Sequence, residues 1–184
     1  DLAGTAPVSN LALWDGNDWH ALHATSGTNH TVAAFALSDT SFEPEPVLYV
    51  GGSFTTAGAE QVSCVARWNG ASWSVLGSGL NAKVQALAFH DDGSGNALYA
   101  GGDFTASPGV PCALARIARW DGAGWSALGS GFNSAVFSLV SWDDGLGPAL
   151  FAGGNFTTAG GVSADRIARW NGTAWSPLGS GVSV

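Results

Sequence analysis

The sequence predicts an all-β fold made of one four-stranded antiparallel unit, about 50 residues long and used in tandem. Three observations predict it. A strand-like apolar segment ending in Gly-Gly recurs, with its first glycine at Gly51, Gly101 and Gly153. A pair of tryptophans five residues apart follows each one: Trp68 with Trp73, Trp120 with Trp125, and Trp170 with Trp175. An Asn-Gly or Asp-Gly step lies inside each tryptophan pair, where a chain reversal is needed.

The elements follow in order. The N-terminal region carries a degraded copy, Leu11-Ala-Leu-Trp14-Asp-Gly16 followed by Trp19-His-Ala-Leu22, which supplies only the last two strands of a unit. The segment Asp1–Pro7 corresponds to the loop after a diglycine, so the chain is expected to begin in mid-unit. The first strand of each complete unit reads Val32–Ser38, Val84–His90 and Val136–Trp142, and these start 52 residues apart. The last two are almost wholly apolar or small, which predicts a strand buried on both faces. The Asp91-Asp92-Gly93 and Asp143-Asp144-Gly145 stretches are the turns to the second strand. The second strands end in Gly51-Gly52, Gly101-Gly102 and Gly153-Gly154. Phe54-Thr-Thr-Ala-Gly58 and its counterparts lead to the third strands, which carry Arg67, Arg119 and Arg169. Asn69-Gly70, Asp121-Gly122 and Asn171-Gly172 then predict type I′ hairpins, in which both central residues have φ > 0. The fourth strands begin at Trp73, Trp125 and Trp175.

Four antiparallel strands repeated at this spacing match the blade of a β-propeller. The boundaries are a half blade at 8–22 and full blades at 31–80, 84–131 and 135–181, within one segment spanning 1–184. Closed propellers have about 4–8 blades, so three and a half are expected to form an incomplete ring. Open edges of that kind pair with something else. The expected partners are other copies of the chain or the rest of a longer propeller chain. The sequence contains no methionine, even at position 1, which reads as a processed, excised or incomplete chain.

Composition bounds the function. Hydrophobic residues make up 46% and charged residues 11%, so a packed core rather than disorder is expected. Six Lys plus Arg against fourteen Asp plus Glu give a net charge of -8, which argues against nucleic acid as a partner. No apolar run approaches the ~18 residues of a membrane-spanning helix. The acidic, Lys-poor, Gly/Ser/Thr-rich character suits a secreted or surface protein.

Few residues suggest site chemistry. Arg67, Arg119 and Arg169 read either as an acid-binding ring or as structural partners of acids, carbonyls or indoles between blades; the structural role is the expectation. Asp91, Asp92, Asp143 and Asp144 are the candidate calcium ligands. Their spacing departs from a calcium loop and no Glu follows at the twelfth position, so turn chemistry is expected instead. His20, His23, His30 and His90 do not form a zinc pattern. Cys64 and Cys112 allow one intrachain disulfide or two buried thiols. The inner strands offer only Gln85, His90, Ser138 and Ser141 as notable polar groups, so no cofactor and no catalysis are expected. Asn29, Asn155 and Asn171 head glycosylation sequons that turn propensity also explains.

The diglycine-ended strand, the following aromatic strand and the Trp at fixed distance resemble the Kelch repeat. Arg-Trp stands where Kelch repeats usually place Tyr. The chain is also similar to long repetitive Kelch-like arrays of bacterial surface proteins. The resemblance covers roughly residues 8–180 and implies a first strand innermost and a Trp73-type strand outermost in each blade. Gly51, Gly52, Gly101, Gly102, Gly153 and Gly154 would let neighbouring blades approach. Those bacterial arrays carry little functional assignment to transfer; the expectation for this chain is a non-enzymatic binding or scaffold module of the bacterial envelope or extracellular space, with a glycan or surface protein as ligand. The alternatives are a structural subunit of an extracellular filament or, less expected, a fragment of a propeller-type hydrolase.

Overall fold

A computed structural model of the chain describes residues 2–3, 6–22, 27–111 and 113–182. Among these residues it is all-β, 45% strand and without helix. Three four-stranded antiparallel sheets dominate. Sheet I contains Val32–Leu37, Leu48–Gly52, Val65–Trp68 and Trp73–Val75. Sheet II contains Val84–Asp91, Asn96–Gly102, Ile117–Trp120 and Trp125–Ala127. Sheet III contains Val136–Asp143, Pro148–Gly154, Ile167–Trp170 and Trp175–Pro177. In each, the strands lie side by side in chain order. The N-terminal copy forms a two-stranded hairpin, Leu13–Trp14 with Trp19–His20, as its two-strand sequence predicts.

The register repeats with the sequence. Tyr49 opposes Arg67, Tyr99 opposes Arg119, and Phe151 opposes Arg169. Each first strand carries a bulge at its start, at Val32/Ala34, Val84/Ala86 and Val136/Ser138. One core joins sheet I to sheet II through Tyr49, Leu76, Leu80, Val84, Leu87, Trp120 and Trp125. A second joins sheet II to sheet III through Tyr99, Leu128, Phe132, Val136, Leu150, Trp170 and Trp175. A third holds Leu11 and Leu22 against Trp68 and Trp73 of sheet I. The first strands of successive sheets lie against each other.

The diglycines divide their labour. A Cβ on Gly51 would lie 2.5 Å from Val84 Cγ1, and one on Gly101 would lie 2.6 Å from Val136 Cγ1. The first glycine therefore admits the next sheet. The second serves its own sheet: a Cβ on Gly52, Gly102 or Gly154 would strike the carbonyl of Thr31, Lys83 or Ala135, just ahead of the first strand. Gly153 meets no residue of another sheet; Ser138 Oγ of its own sheet lies 2.7 Å away. The expectation that both glycines serve the neighbouring blade is thus corrected.

Two further expectations change. The hairpins at Asn69-Gly70, Asp121-Gly122 and Asn171-Gly172 are not type I′, because only the glycine has positive φ. The Asn or Asp instead directly follows the strand, one place ahead of the turn's centre, and uses its side-chain oxygen. Asn69 Oδ1 accepts the N–H groups of Ala71 and Ser72, and Asp121 and Asn171 do the same for their loops. The first strands also differ in burial. Val84–His90 is buried or half-buried between its neighbours, whereas Phe137, Val140 and Trp142 are exposed. Apolar sequence favours burial, but a strand is covered on both faces only where a sheet stands on each side.

A backbone device invisible to composition completes each unit. Asn10, Cys64, Arg116 and Arg166, each three residues before the Leu13 or Arg67-type position, adopt positive φ although none is glycine. In the three full units the N–H of this residue donates to the carbonyl of Phe54, Phe104 or Phe156. Its carbonyl accepts from the N–H of Gly52, Gly102 or Gly154. Two backbone hydrogen bonds hold the residue in a conformation that would otherwise cost about 1–2 kcal/mol.

Candidate functional site

The polar side chains that repeat are joined within their own sheets. The turn between first and second strands supplies an acid, the second strand an aromatic ring, and the third strand the arginine. In sheet I, Glu43 Oε1 accepts from Tyr49 OH at 2.6 Å and from Arg67 Nη1 at 2.8 Å. In sheet II, Asp92 Oδ2 accepts from Tyr99 OH at 2.7 Å, with Arg119 Nε 3.7 Å away and Arg119 Nη2 donating to Ser94 Oγ. In sheet III, Arg169 Nε donates to Asp144 Oδ2 at 2.9 Å and its guanidinium lies over the Phe151 ring. The arginines pair with acids of their own sheet rather than between sheets. Glu43 was hidden from sequence reasoning because its turn is longer than the other two.

The electrostatics fit these partnerships. Burial alone would push the Asp92 carboxyl up, but hydrogen bonds from Ser94 and Tyr99 and the Arg119 charge outweigh it and hold it below the usual carboxylate range. Burial, together with the Glu43 and Asp92 carboxylates, pushes Tyr49 and Tyr99 well above the ordinary phenol value, so both hydroxyls stay protonated and donate to those carboxylates. Burial would likewise raise Asp144, but Arg169 and the Leu146 N–H lower it.

The candidate calcium ligands cap their own turns. Asp91 Oδ1 accepts from Gly93 and Gly95 N–H, and Asp143 Oδ1 from Gly145 and Gly147 N–H. Asp92 and Asp144 bind Ser94 and Leu146 as well as their aromatic or arginine partners. Turn capping accounts for these contacts, whereas calcium takes six to eight oxygens. EDTA is expected to leave the thermal midpoint unchanged; a fall restored by added calcium would contradict this.

The tryptophans sit where the sheets meet. Trp73, Trp125 and Trp175 are each at most 7% exposed, and Trp125 Nε1 donates to the Leu76 carbonyl across the interface at 3.1 Å. Sequence reasoning missed the clamp that joins each sheet's entry to its long loop. Asn29 Oδ1 accepts from Thr55 and Thr56 N–H, Asn81 from Thr105 and Ala106, and Asn133 from Thr157 and Thr158. The 52-residue step between these asparagines, the same as that of the first strands, was the available signal. Cys64 is half-buried, with its thiol pushed up by burial; its suggested partner Cys112 lies outside the described residues, as does His23.

One cleft gathers side chains capable of binding. Its volume is about 530 Å³, it opens to solvent, and it is lined by His90, Asp91, Asp92, Gly93, Ser141 and Pro148. It lies where the first strands of sheets II and III run together, so two side chains 51 residues apart meet: His90 Nδ1 and Ser141 Oγ are 2.8 Å apart. His90 Nε2 is buried without a hydrogen-bond partner among the described residues. A nucleophilic serine needs a histidine oriented by a third group. Asp91 and Asp92 are engaged by turn N–H groups and Tyr99 instead, so His90 and Ser141 form a pair without that third member.

Burial lowers the His90 pKa below the ordinary histidine value, against the opposing pull of Asp92 and Asp91. The group is depressed in the folded state, so its contribution to stability is present above about pH 6.5 and is lost as pH falls toward the folded value. The thermal midpoint is expected to drop between about pH 7 and pH 5, and His90→Asn to flatten that drop. An identical pH profile in the variant would remove His90 as the cause.

Comparison with known proteins finds no family model, no curated relative and no solved structure that matches the chain.

Proposed function

We propose that the chain is a non-enzymatic binding and scaffold module: an arc of Kelch-like propeller blades, secreted or displayed at a bacterial cell surface. Three four-stranded sheets packed face to face, with first strands adjoining and tryptophan strands at the far edge, support the blade reading. The observation that carries the non-enzymatic reading is the closure of the repeated charges on one another, Arg67 with Glu43, Arg119 with Asp92 and Arg169 with Asp144. Charges held in this way rigidify a scaffold, and Glu43, Asp92 and Asp144 are engaged by their arginines rather than poised for general acid–base hydrolysis.

Binding falls to the His90–Ser141 cleft, whose neutral imidazole, hydroxyl and carboxylate suit the donors and acceptors of a polyhydroxylated ligand such as a glycan. A glycan array probed with the intact chain tests this. The expected result is binding to a restricted set of glycans, weakened by Ser141→Ala with no product released. Absence of binding would remove the glycan, and turnover of a glycoside or ester that Ser141→Ala abolishes would overturn the non-enzymatic reading.

A further inference from the structure

The two ends of the row of sheets are unlike each other and complementary. The two junctions between complete sheets are built from the same contacts. A tryptophan pair of the later unit packs beside a Leu-Gly-Ser-Gly-apolar segment of the earlier one. Trp120 and Trp125 share a core with Leu76 and Leu80, and Trp170 and Trp175 share one with Leu128 and Phe132. Those four apolar residues of the earlier units are at most 4% exposed. The hairpin turn of the later unit also touches the first-to-second-strand turn of the earlier one. A Cβ on Gly172 would strike the Asp92 carbonyl, and one on Gly122 would meet the Phe42 ring.

At the N-terminal end the later-unit half of this junction stands alone. Trp14 and Trp19 have ring centroids 5.3 Å apart at 51°, against 5.2–5.3 Å and 47–50° in the three buried pairs. They are nevertheless 49% and 46% exposed. At the far end the earlier-unit half stands alone. Leu178 is only partly covered, Val182 is 54% exposed, and Leu146 on the turn of sheet III is 82% exposed.

We infer that this chain associates head to tail with a second copy of itself, the Trp14/Trp19 hairpin of one copy seating on Leu178, Val182 and Leu146 of the next. The occupant is specified by the junctions already present in the chain, which use the same side chains at the same spacing. Backbone pairing agrees. Isolated bridges join Thr28 to Ala57 and Phe132 to Ala159, and Val182 and Ala3 are the corresponding residues at the two ends. Leu2–Ala3 pairs with Ala6–Pro7 in the register of Thr56–Ala57 with Glu60–Gln61, so the backbone for that bridge is in place. Such a contact is heterologous: it closes into a ring where the rotation permits and otherwise extends as a filament. The association requires only the face-to-face packing of sheets and holds whether or not the cleft binds a glycan.

Light scattering and sedimentation of the intact chain over a range of concentrations test the inference. The expected result is a mass that rises above the monomer with concentration. Trp19→Lys on one end, and Val182→Asp with Leu146→Asp on the other, should each weaken association about thirtyfold, as loss of a central anchor does. Both sets alter exposed side chains, so each variant should keep the wild-type circular dichroism and thermal midpoint at monomeric dilution. Mixing the two should restore a one-to-one complex, because each keeps one intact end. A wild-type chain that stays monomeric throughout overturns the inference. So does a pair of variants that associate as the wild type does, or a folded mixture that stays monomeric.

Discussion

Replacing Trp125 by Ala is expected to destabilise the fold by about 4 kcal/mol and to lower the thermal midpoint by roughly 10 °C. Trp125 is 6% exposed, packs against Trp120 with centroids 5.3 Å apart, and donates Nε1–H to the Leu76 carbonyl. Truncation opens a cavity between sheets I and II and leaves that carbonyl without its donor. The same substitution at Trp19, which holds the same place in the repeat but is 46% exposed, should change the monomer's midpoint little. Thermal unfolding monitored by circular dichroism separates the two. Equal losses would mean that the tryptophan stabilises through its own hairpin and not through the junction between sheets.

Gly101→Ala is expected to cost about 3 kcal/mol, close to the upper end for an overpacked core. The added methyl would lie 2.6 Å from Val136 Cγ1 and 3.1 Å from Val136 Cβ, atoms held on a strand that cannot retreat without shifting sheet III. Gly153→Ala places the same methyl in the same repeat position, where only Ser138 Oγ stands close. A serine hydroxyl turns aside by rotation about χ1, so the loss there should stay under about 1 kcal/mol. Chemical denaturation of the two variants gives the comparison. Equal losses would show that the glycine answers to its own strand rather than to the next sheet.

These two contrasts mark what was legible in the sequence. Strand order, the diglycine ends and the Arg-Trp strands were readable because each follows from local pattern repeated three times. The turn type was misread because Asn-Gly was assigned to the two central positions. The structure moves Asn69 back by one, where its side chain can accept two backbone N–H groups. The charge partners were only half readable. Asp92 and Asp144 recur in equivalent turns, but Glu43 sits in a turn of different length, and only folding brings it to Tyr49 and Arg67. The cleft was not legible at all. His90 and Ser141 belong to different sheets and occupy non-equivalent places in the repeat, so no spacing links them.

The sequence by itself determined the unit: which segments are strands, where they reverse, and how often the pattern returns. Those are short-range matters of periodicity, glycine freedom and turn chemistry. Only the tertiary structure decided which copy of each residue is covered. Trp73 and Trp19, Gly101 and Gly153, Leu128 and Leu178 are the same residues in the repeat, yet one of each pair is packed and the other open. The reason is physical: burial belongs to the neighbouring sheet, and a local sequence carries no record of whether a neighbour stands there.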